Sequence, residues 1–319
     1  MRLVKPGLYA GTREDAMNYC QLKEAAINRV LTIDSQSLPD LQDDRQKKSL
    51  FVYCLDEPNA DLLSHLDECI RFIEDGIKHE EPVLVHCLAG VSRSIAVILA
   101  YIMKSDQVSL DDAVNKMSEI YSSEISPNQG FLDQLKIYEE MGCKVNTSSA
   151  LFKQYRLQLL ASQIQDGCHS RTDILAKFIQ EFKSPMERSQ NIYKCKKCRV
   201  TLFNSGSTVE HETGSMPFNW QKKDQTHLNT SMPLCTSLFI EPVEWMLSGL
   251  QGTVAGKICC PKCSARLGSF NWAGMQCSCA AWITPAFQFH KNRIDEAVRL
   301  APVRANRDQP ANRTGQDIG

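Results

Sequence analysis

Cys87 and Arg93 stand six positions apart in VLVHCLAGVSRS, residues 83–94, where a short apolar run ends. A thiol and a guanidinium around one short loop can do phosphoryl chemistry if the loop also points backbone N–H groups inward, because together they cradle a tetrahedral anion. The amides would come from Leu88, Ala89, Gly90, Val91, Ser92 and Arg93, and Gly90 permits close backbone approach. Arg93 can fork two hydrogen bonds onto phosphate oxygens, a geometry that lysine does not copy. A helix opening straight after the loop adds partial positive charge there. That field and Arg93 favour the thiolate, the form in which Cys87 is a nucleophile.

Such a loop has to be carried by a strand end and a helix start. Strand-like runs fall at Gly7–Gly11, Arg29–Ile33, Leu50–Leu55 and Pro82–His86, with helical periodicity over Ala16–Ala26, Asp61–Lys78, Ser94–Lys104, Ser109–Ser122 and Asn128–Met141. In the second helix Leu62, Leu63, Leu66, Ile70 and Ile73 recur at helical spacing. Strands alternating with helices imply an α/β fold, a mostly parallel sheet flanked by helices. The all-apolar VLV before His86 reads as a central strand, and ligands gather at the carboxyl ends of such strands, where Cys87 falls.

A second chemistry is written further on. YKCKKC places Cys195 and Cys198 at C-x2-C spacing, His211 and Cys235 follow, and CCPKC and CSC add Cys259, Cys260, Cys263, Cys277 and Cys279. Paired thiolates at this spacing converge on one tetrahedral zinc ion. Proximity along the chain groups Cys260, Cys263, Cys277 and Cys279 into one site. Cys195, Cys198, Cys235 and His211 make the other, and Cys259 is a spectator. Closed four-ligand sites are structural, so two zinc ions would hold a small C-terminal zinc-binding domain together. None is required for catalysis.

Composition agrees with two unlike halves. Residues 1–189 carry 21 Lys/Arg and 28 Asp/Glu, whereas residues 190–319 carry 15 and 9, and all four tryptophans lie in the second part. The acidic first half argues against direct nucleic-acid binding by that domain, and the basic second half hints at an RNA or acidic-protein partner. The longest apolar run, Ile95–Met103, is too short to span a membrane. No signal-peptide core opens the sequence and no prenylation box closes it, so a reducing compartment is expected, where fourteen cysteines imply metal and thiol chemistry rather than disulfides.

HCLAGVSRS resembles the HCxxGxxRS signature of cysteine-dependent protein phosphatases of the dual-specificity branch, and KPGLYAG, YCLDEPNADLLSHL and PNQGFLDQL match it too. The resemblance implies a phosphocysteine mechanism. Cys87 attacks phosphorus, Arg93 and the loop amides stabilise the transition state, Ser94 assists the leaving thiolate and His86 tunes it. Asp56 is implied as general acid, with Glu57 and Asp61 as competing carboxylates. The absence of a Trp-Pro-Asp acid loop excludes the arrangement of the tyrosine-specific phosphatases, and the absence of lysines within the phosphate loop favours phosphoprotein substrates, phosphotyrosine and phosphoserine/threonine, over inositol phosphates. LFIEPVEWM, CPKCSARLGSFNW, CSCAAWITPAF and HKNRIDE resemble the C-terminal region of the dual-specificity protein phosphatase 12 family. That likeness implies a role in large ribosomal subunit assembly, a pre-ribosomal particle as partner of the zinc domain, and a nuclear and cytoplasmic location. Ala280 departs from it, because relatives carry glycine after the last cysteine. If positive φ is needed there, the turn is strained.

The expected organisation is a catalytic domain over 1–145, an amphipathic helix near Leu151–Ile164 with a polar connector over 146–190, the zinc domain over 191–295 and a disordered tail over 296–319. The connector is expected to leave the two domains flexibly placed and the catalytic domain independent of the metals.

Overall fold

A computed structural model describes residues 1–39, 48–121, 125–166, 170–181, 191–214 and 235–297. The first half is built on a five-stranded sheet in the order β1-β2-β5-β3-β4, from Arg2–Lys5, Leu8–Gly11, Val83–His86, Arg29–Asp34 and Lys48–Tyr53 in that spatial order. β2, β5, β3 and β4 are parallel, and β1 adds an antiparallel edge. The side-chain period of two assigns each strand's residues to opposite faces. Leu31, Ile33, Val83 and Val85 enter the large core under α3 (Leu66–Lys78), α4 (Arg93–Asp106), α5 (Leu110–Tyr121) and α6 (Gln129–Glu140). Val30 and Leu84 face a smaller core with Ala16 and Leu22, from α1 (Arg13–Met17) and α2 (Tyr19–Glu24).

Two expected elements come out differently. The helix expected over Ala16–Ala26 is two helices, because the Asn18 N–H closes α1 on Asp15 O while its side chain accepts from Gln21 N and opens α2. The helix expected from Asp61 starts only after a 3-10 turn at Leu63–His65, with Asp61 accepting from Ser64 N ahead of it. Strand β1 is additional to the expected set; its pattern is too short and too polar to announce itself.

The connector region contains two helices, α7 (Ala150–Asp166) and α8 (Arg171–Glu181). Apolar residues ring much of α7. Phe152 and Tyr155 belong to the core of the first half, whereas Leu157, Leu160, Ala161 and Ile164 belong to the core of the second. The helix therefore packs into both, which departs from a flexible connector. Residues 182–190 and 298–319 lie outside the described residues, and residues 296 and 297, expected in the tail, belong instead to the last strand of the second half.

Among the described residues the second half is built of β-strands, with α9 (Leu247–Leu250) and 3-10 turns at Ser205–Ser207, Glu244–Met246 and Lys291–Arg293. β6 (Ile192–Cys195), β7 (Thr201–Asn204) and β15 (Ile294–Ala297) form one sheet in the order β15-β6-β7. A five-stranded antiparallel sheet runs β10-β11-β14-β9-β8, from Ala255–Cys259, Arg266–Asn271, Ala286–His290, Ser237–Ile240 and Thr208–Val209. β12 (Met275–Gln276) and β13 (Trp282–Ile283) make a small hairpin. Phe270, Trp272 and Phe287 are buried between these elements, while Trp282 is 64% exposed.

Candidate active site and metal centres

Four parallel strands deliver their carboxyl ends to one place. Gly11 ends β2, Asp34 ends β3, Cys54 follows β4 and Cys87 follows β5. The residues of the phosphate loop curl back beneath the start of α4. Gly90 N–H donates to Cys87 Sγ at 3.2 Å, and Ser94 Oγ lies 3.3 Å from the same sulfur. Gly90 has φ of +73°, and a Cβ there would sit 2.8 Å from the Gly11 carbonyl oxygen, so the tight fold of the loop over β2 excludes any side chain. The loop is tied to its surroundings by Arg13 N–H to Leu88 O and by Ser126 N–H to Val91 O.

Arg93 is buried. Its Nη1 donates to Asp34 Oδ1 at 2.8 Å and to Cys54 O at 3.0 Å, which locks the guanidinium beneath the loop. Its Nε, also buried, has no hydrogen-bond acceptor among the described residues. Burial alone would raise the Asp34 pKa, but hydrogen bonds from Ser35 N and Arg93, with the charge of Arg93, hold it below the usual carboxylate range. Asp34 thus orients Arg93 through a charge-assisted hydrogen bond, and nothing in the local sequence marks it.

Asp56 reaches the loop from the segment after β4. Its Oδ1 accepts from Ser92 Oγ at 2.7 Å and Asn128 Nδ2 at 2.9 Å, and its Oδ2 lies 3.6 Å from Arg93 Nε. Ser92 is the N-cap residue of α4 yet makes no capping bond; its hydroxyl is spent on Asp56 instead. Of the competing carboxylates, Asp61 is engaged elsewhere, accepting from Ser64 N and Tyr155 OH. Glu57 is exposed.

PNQGFLDQL is explained by this same segment. Asn128 caps α6 through Oδ1 while giving Nδ2 to Asp56. Gly130 lies against Pro58, where a Cβ would come within 2.0 Å of the carbonyl oxygen. Gln134 accepts from Leu62 N and Leu63 N and donates to Ala60 O.

His86 is fully buried on β5. Burial pushes its pKa down to about 4, so the ring is neutral at physiological pH. Nδ1 faces the Cys87 carbonyl at 3.4 Å, which can only accept, and Nε2 then takes the Thr32 hydroxyl at 2.8 Å. Any influence on Cys87 passes through that backbone contact and not through a positive charge.

The metal ligands group differently from their order in the chain. Cys195, Cys198, Cys260 and Cys263 form one cluster, and His211, Cys235, Cys277 and Cys279 form the other. The expected grouping of Cys260 and Cys263 with Cys277 and Cys279 is therefore corrected. The reason is β11, whose six residues carry the chain about 20 Å away from the Cys260–Cys263 turn before Cys277 is reached. Cys259 lies exposed on β10, in neither cluster.

Both clusters could hold a metal ion. Four ligands at about 2.3 Å from a tetrahedral centre stand about 3.8 Å apart. Cys195 and Cys263 sulfurs are 3.8 Å apart, Cys198 and Cys260 3.6 Å, Cys235 and Cys277 3.5 Å, and Cys235 Sγ lies 3.4 Å from His211 Nε2. The first cluster ties the β15-β6-β7 sheet to the β10–β11 turn, and the second ties the ends of β8 and β9 to the β12–β13 hairpin.

Each cysteine turn closes in the same way. Arg199, Ser264 and Ala280, each following a second cysteine, have φ of +63°, +56° and +67°. Their N–H groups return to the carbonyls of Cys195, Cys260 and Cys277. Position 280 does need the left-handed region, and alanine there carries roughly 1–2 kcal/mol of strain that glycine would lack. Ala280→Gly is expected to stabilise the metal region by about 1 kcal/mol after the entropy that glycine adds to the unfolded chain. A lower or unchanged denaturation midpoint of the metal-loaded protein would contradict this.

The chain matches the catalytic-domain family of dual specificity phosphatases over residues 8–141. It is 45% identical over 309 residues to dual specificity protein phosphatase 12 of Homo sapiens, with 94% of this chain and 89% of the relative covered. Tyrosine-protein phosphatase yvh1 of Schizosaccharomyces pombe is 30% identical over 298 residues, covering 93% and 85%. Among solved structures, the Yvh1 phosphatase domain from Chaetomium thermophilum is 28% identical and covers 44% of this chain and 95% of that one, with a TM-score of 0.41. The two full-length likenesses run through catalytic and cysteine-rich halves alike, so the chain belongs to the dual-specificity protein phosphatase 12 family and is a protein tyrosine and serine/threonine phosphatase.

Proposed function

We propose that catalysis runs through a phosphocysteine, and the observation that carries this reading is the convergence on the loop of Cys87, the buried Nε of Arg93, which has no hydrogen-bond acceptor among the described residues, and the Asp56 carboxyl 3.6 Å from it. The Cys87 thiolate attacks phosphorus as the bond to the ester oxygen breaks, and Asp56 delivers its proton to that oxygen. Arg93 and the amides of residues 88–93 take up the charge of the equatorial oxygens. Asp56, now a carboxylate, removes a proton from the incoming water, the S–P bond breaks, and inorganic phosphate leaves. Ser94, 3.3 Å from the sulfur, stabilises the departing thiolate by hydrogen bonding. Leu88, 60% exposed, and Ala89 leave the rim uncharged, which suits phosphorylated side chains of a protein better than a polyanionic inositol.

Asp56→Asn tests the acid. Hydrolysis of an alkyl phosphate, whose leaving oxygen needs the proton, is expected to fall by roughly 10² to 10⁴-fold, and that of an activated aryl phosphate far less. Equal losses on both would assign Asp56 to binding and reopen the case for Glu57.

In the second half, four thiolates at one site and three with an imidazole at the other suit zinc in closed, structural coordination. The four residues of each cluster would hold it, and its contribution is to fold that region, with the chemistry of phosphate transfer left to the loop. A second reading makes this region a platform for large-subunit assembly in the nucleus and cytoplasm, with catalysis ancillary. Exposed Lys196, Lys197, Lys257, Lys262, Lys291 and Arg293 favour an acidic partner such as a pre-ribosomal particle. No described helix is long and apolar enough to cross a membrane.

A further inference from the structure

Helix α7 lies outside the catalytic-domain match yet sends one side chain to the segment that carries Asp56. Tyr155, 8% exposed, donates its hydroxyl to Asp61 Oδ1 at 2.9 Å. The same oxygen accepts from Ser64 N at 3.1 Å, so the half-buried carboxylate is held by the backbone on one side and the phenol on the other. Burial and the Asp61 charge push the Tyr155 pKa well above its ordinary value, which keeps the phenol a donor.

Between Asp56 and Asp61 the chain makes a turn closed by Ala60 N–H to Glu57 O. One end of that turn is bonded to Ser92 of the phosphate loop and to Asn128 at the start of α6, and the other is bonded to α7 through Tyr155. On its opposite side α7 is anchored in the second half. Buried Lys153 donates to Gly206 O and Thr208 O, and buried Arg156 pairs with Glu241, which directly follows β9. Residues 152 and 155 thus face one core and 153, 156, 157 and 160 the other, as three- and four-residue spacing on a helix dictates.

We propose that Tyr155 is a positioning residue of the phosphatase: through Asp61 it fixes the turn that holds Asp56, so the metal-bearing half, by anchoring α7, supports the general acid. This rests on the assignment of Asp56 as the acid. An apolar side chain at 155 would still fill the core, but Asp61 would lose a donor, turn towards water and release the turn. The loss should appear only where the proton matters.

The test uses the full-length protein with both metals. Tyr155→Phe is expected to lower kcat on a phosphothreonine peptide by roughly fivefold or more, part of the acid's full worth, and to change kcat on an activated aryl phosphate by less than about twofold. Asp61→Ala should reproduce the pattern, and the double variant should lose no more than the larger single loss, because both remove one contact. Equal losses on both esters, or no loss on either, would overturn the proposal, including the case in which Tyr155→Phe lowers metal content or melting temperature and both activities fall together. Asp56→Asn is measured beside it. If that variant is selective and Tyr155→Phe is not, only the positioning role falls; if Asp56→Asn is itself unselective, the acid assignment falls and the positioning role with it.

Discussion

Cys87→Ser is expected to give a folded protein with its full metal content that binds phosphorylated peptide and releases no phosphate. Oxygen in place of sulfur keeps the shape of the loop and can still face Gly90 N–H and Ser94 Oγ, so neither the central strand nor α4 loses a packing partner. What disappears is a nucleophile that ionises in this setting, since a serine hydroxyl has no adjacent general base to take its proton. His86 cannot serve, because its Nε2 is bonded to Thr32 and its Nδ1 faces the Cys87 backbone. The fall in kcat should be at least about 10⁴-fold, the scale on which covalent enzymes lose activity when the nucleophile goes. Full turnover of an aryl phosphate by purified Cys87→Ser protein would sink the phosphocysteine assignment.

The second large effect is expected from Cys263→Ser. It leaves Cys195, Cys198 and Cys260 at a closed four-thiolate site. Metal binding at such sites supplies roughly 10–16 kcal/mol, most of what folds a small metal domain, so an incomplete site unhooks the β15-β6-β7 sheet from the β10–β11 turn. The other cluster shares none of these ligands, and elemental analysis of the reduced protein should fall from two zinc ions per chain to one. Retention of two would contradict closed coordination, and loss of both would show that the sites fold as one unit. Partner binding through this half should be lost as well. Catalysis on an aryl phosphate should survive, whereas hydrolysis of phosphothreonine should decline if disorder reaches Arg156 and through it Tyr155.

The chemistry of the phosphate loop was legible because it is local. Cys87, the amides of residues 88–93 and Arg93 are consecutive, and a strand end running into a helix start places them without help from distant parts of the chain. Strand-like runs alternating with helical ones were enough to predict a mostly parallel sheet flanked by helices, and the all-apolar run of Val83, Leu84 and Val85 a strand buried within it, as the cores on its two faces bear out. Six of the eight residues that gather in the two clusters stood out for the same reason, since Cys195 and Cys198, Cys260 and Cys263, and Cys277 and Cys279 each make a turn within four residues.

Tertiary structure decided everything that depends on chain paths. Adjacency grouped Cys263 with Cys277, but strand β11 between them separates the two turns, so the clusters interleave. Asp34 holds Arg93 across 59 positions of sequence, and Tyr155 holds Asp61 across 94. Neither residue belongs to a pattern, because a single hydrogen bond between distant segments imposes no periodicity and needs only one suitable atom at the right place. The same holds for α7: its composition marks a helix, but an apolar surface on more than one side says only that it is covered. That one side is covered by the catalytic core and another by the cysteine-rich half is set by where the two cores come to lie.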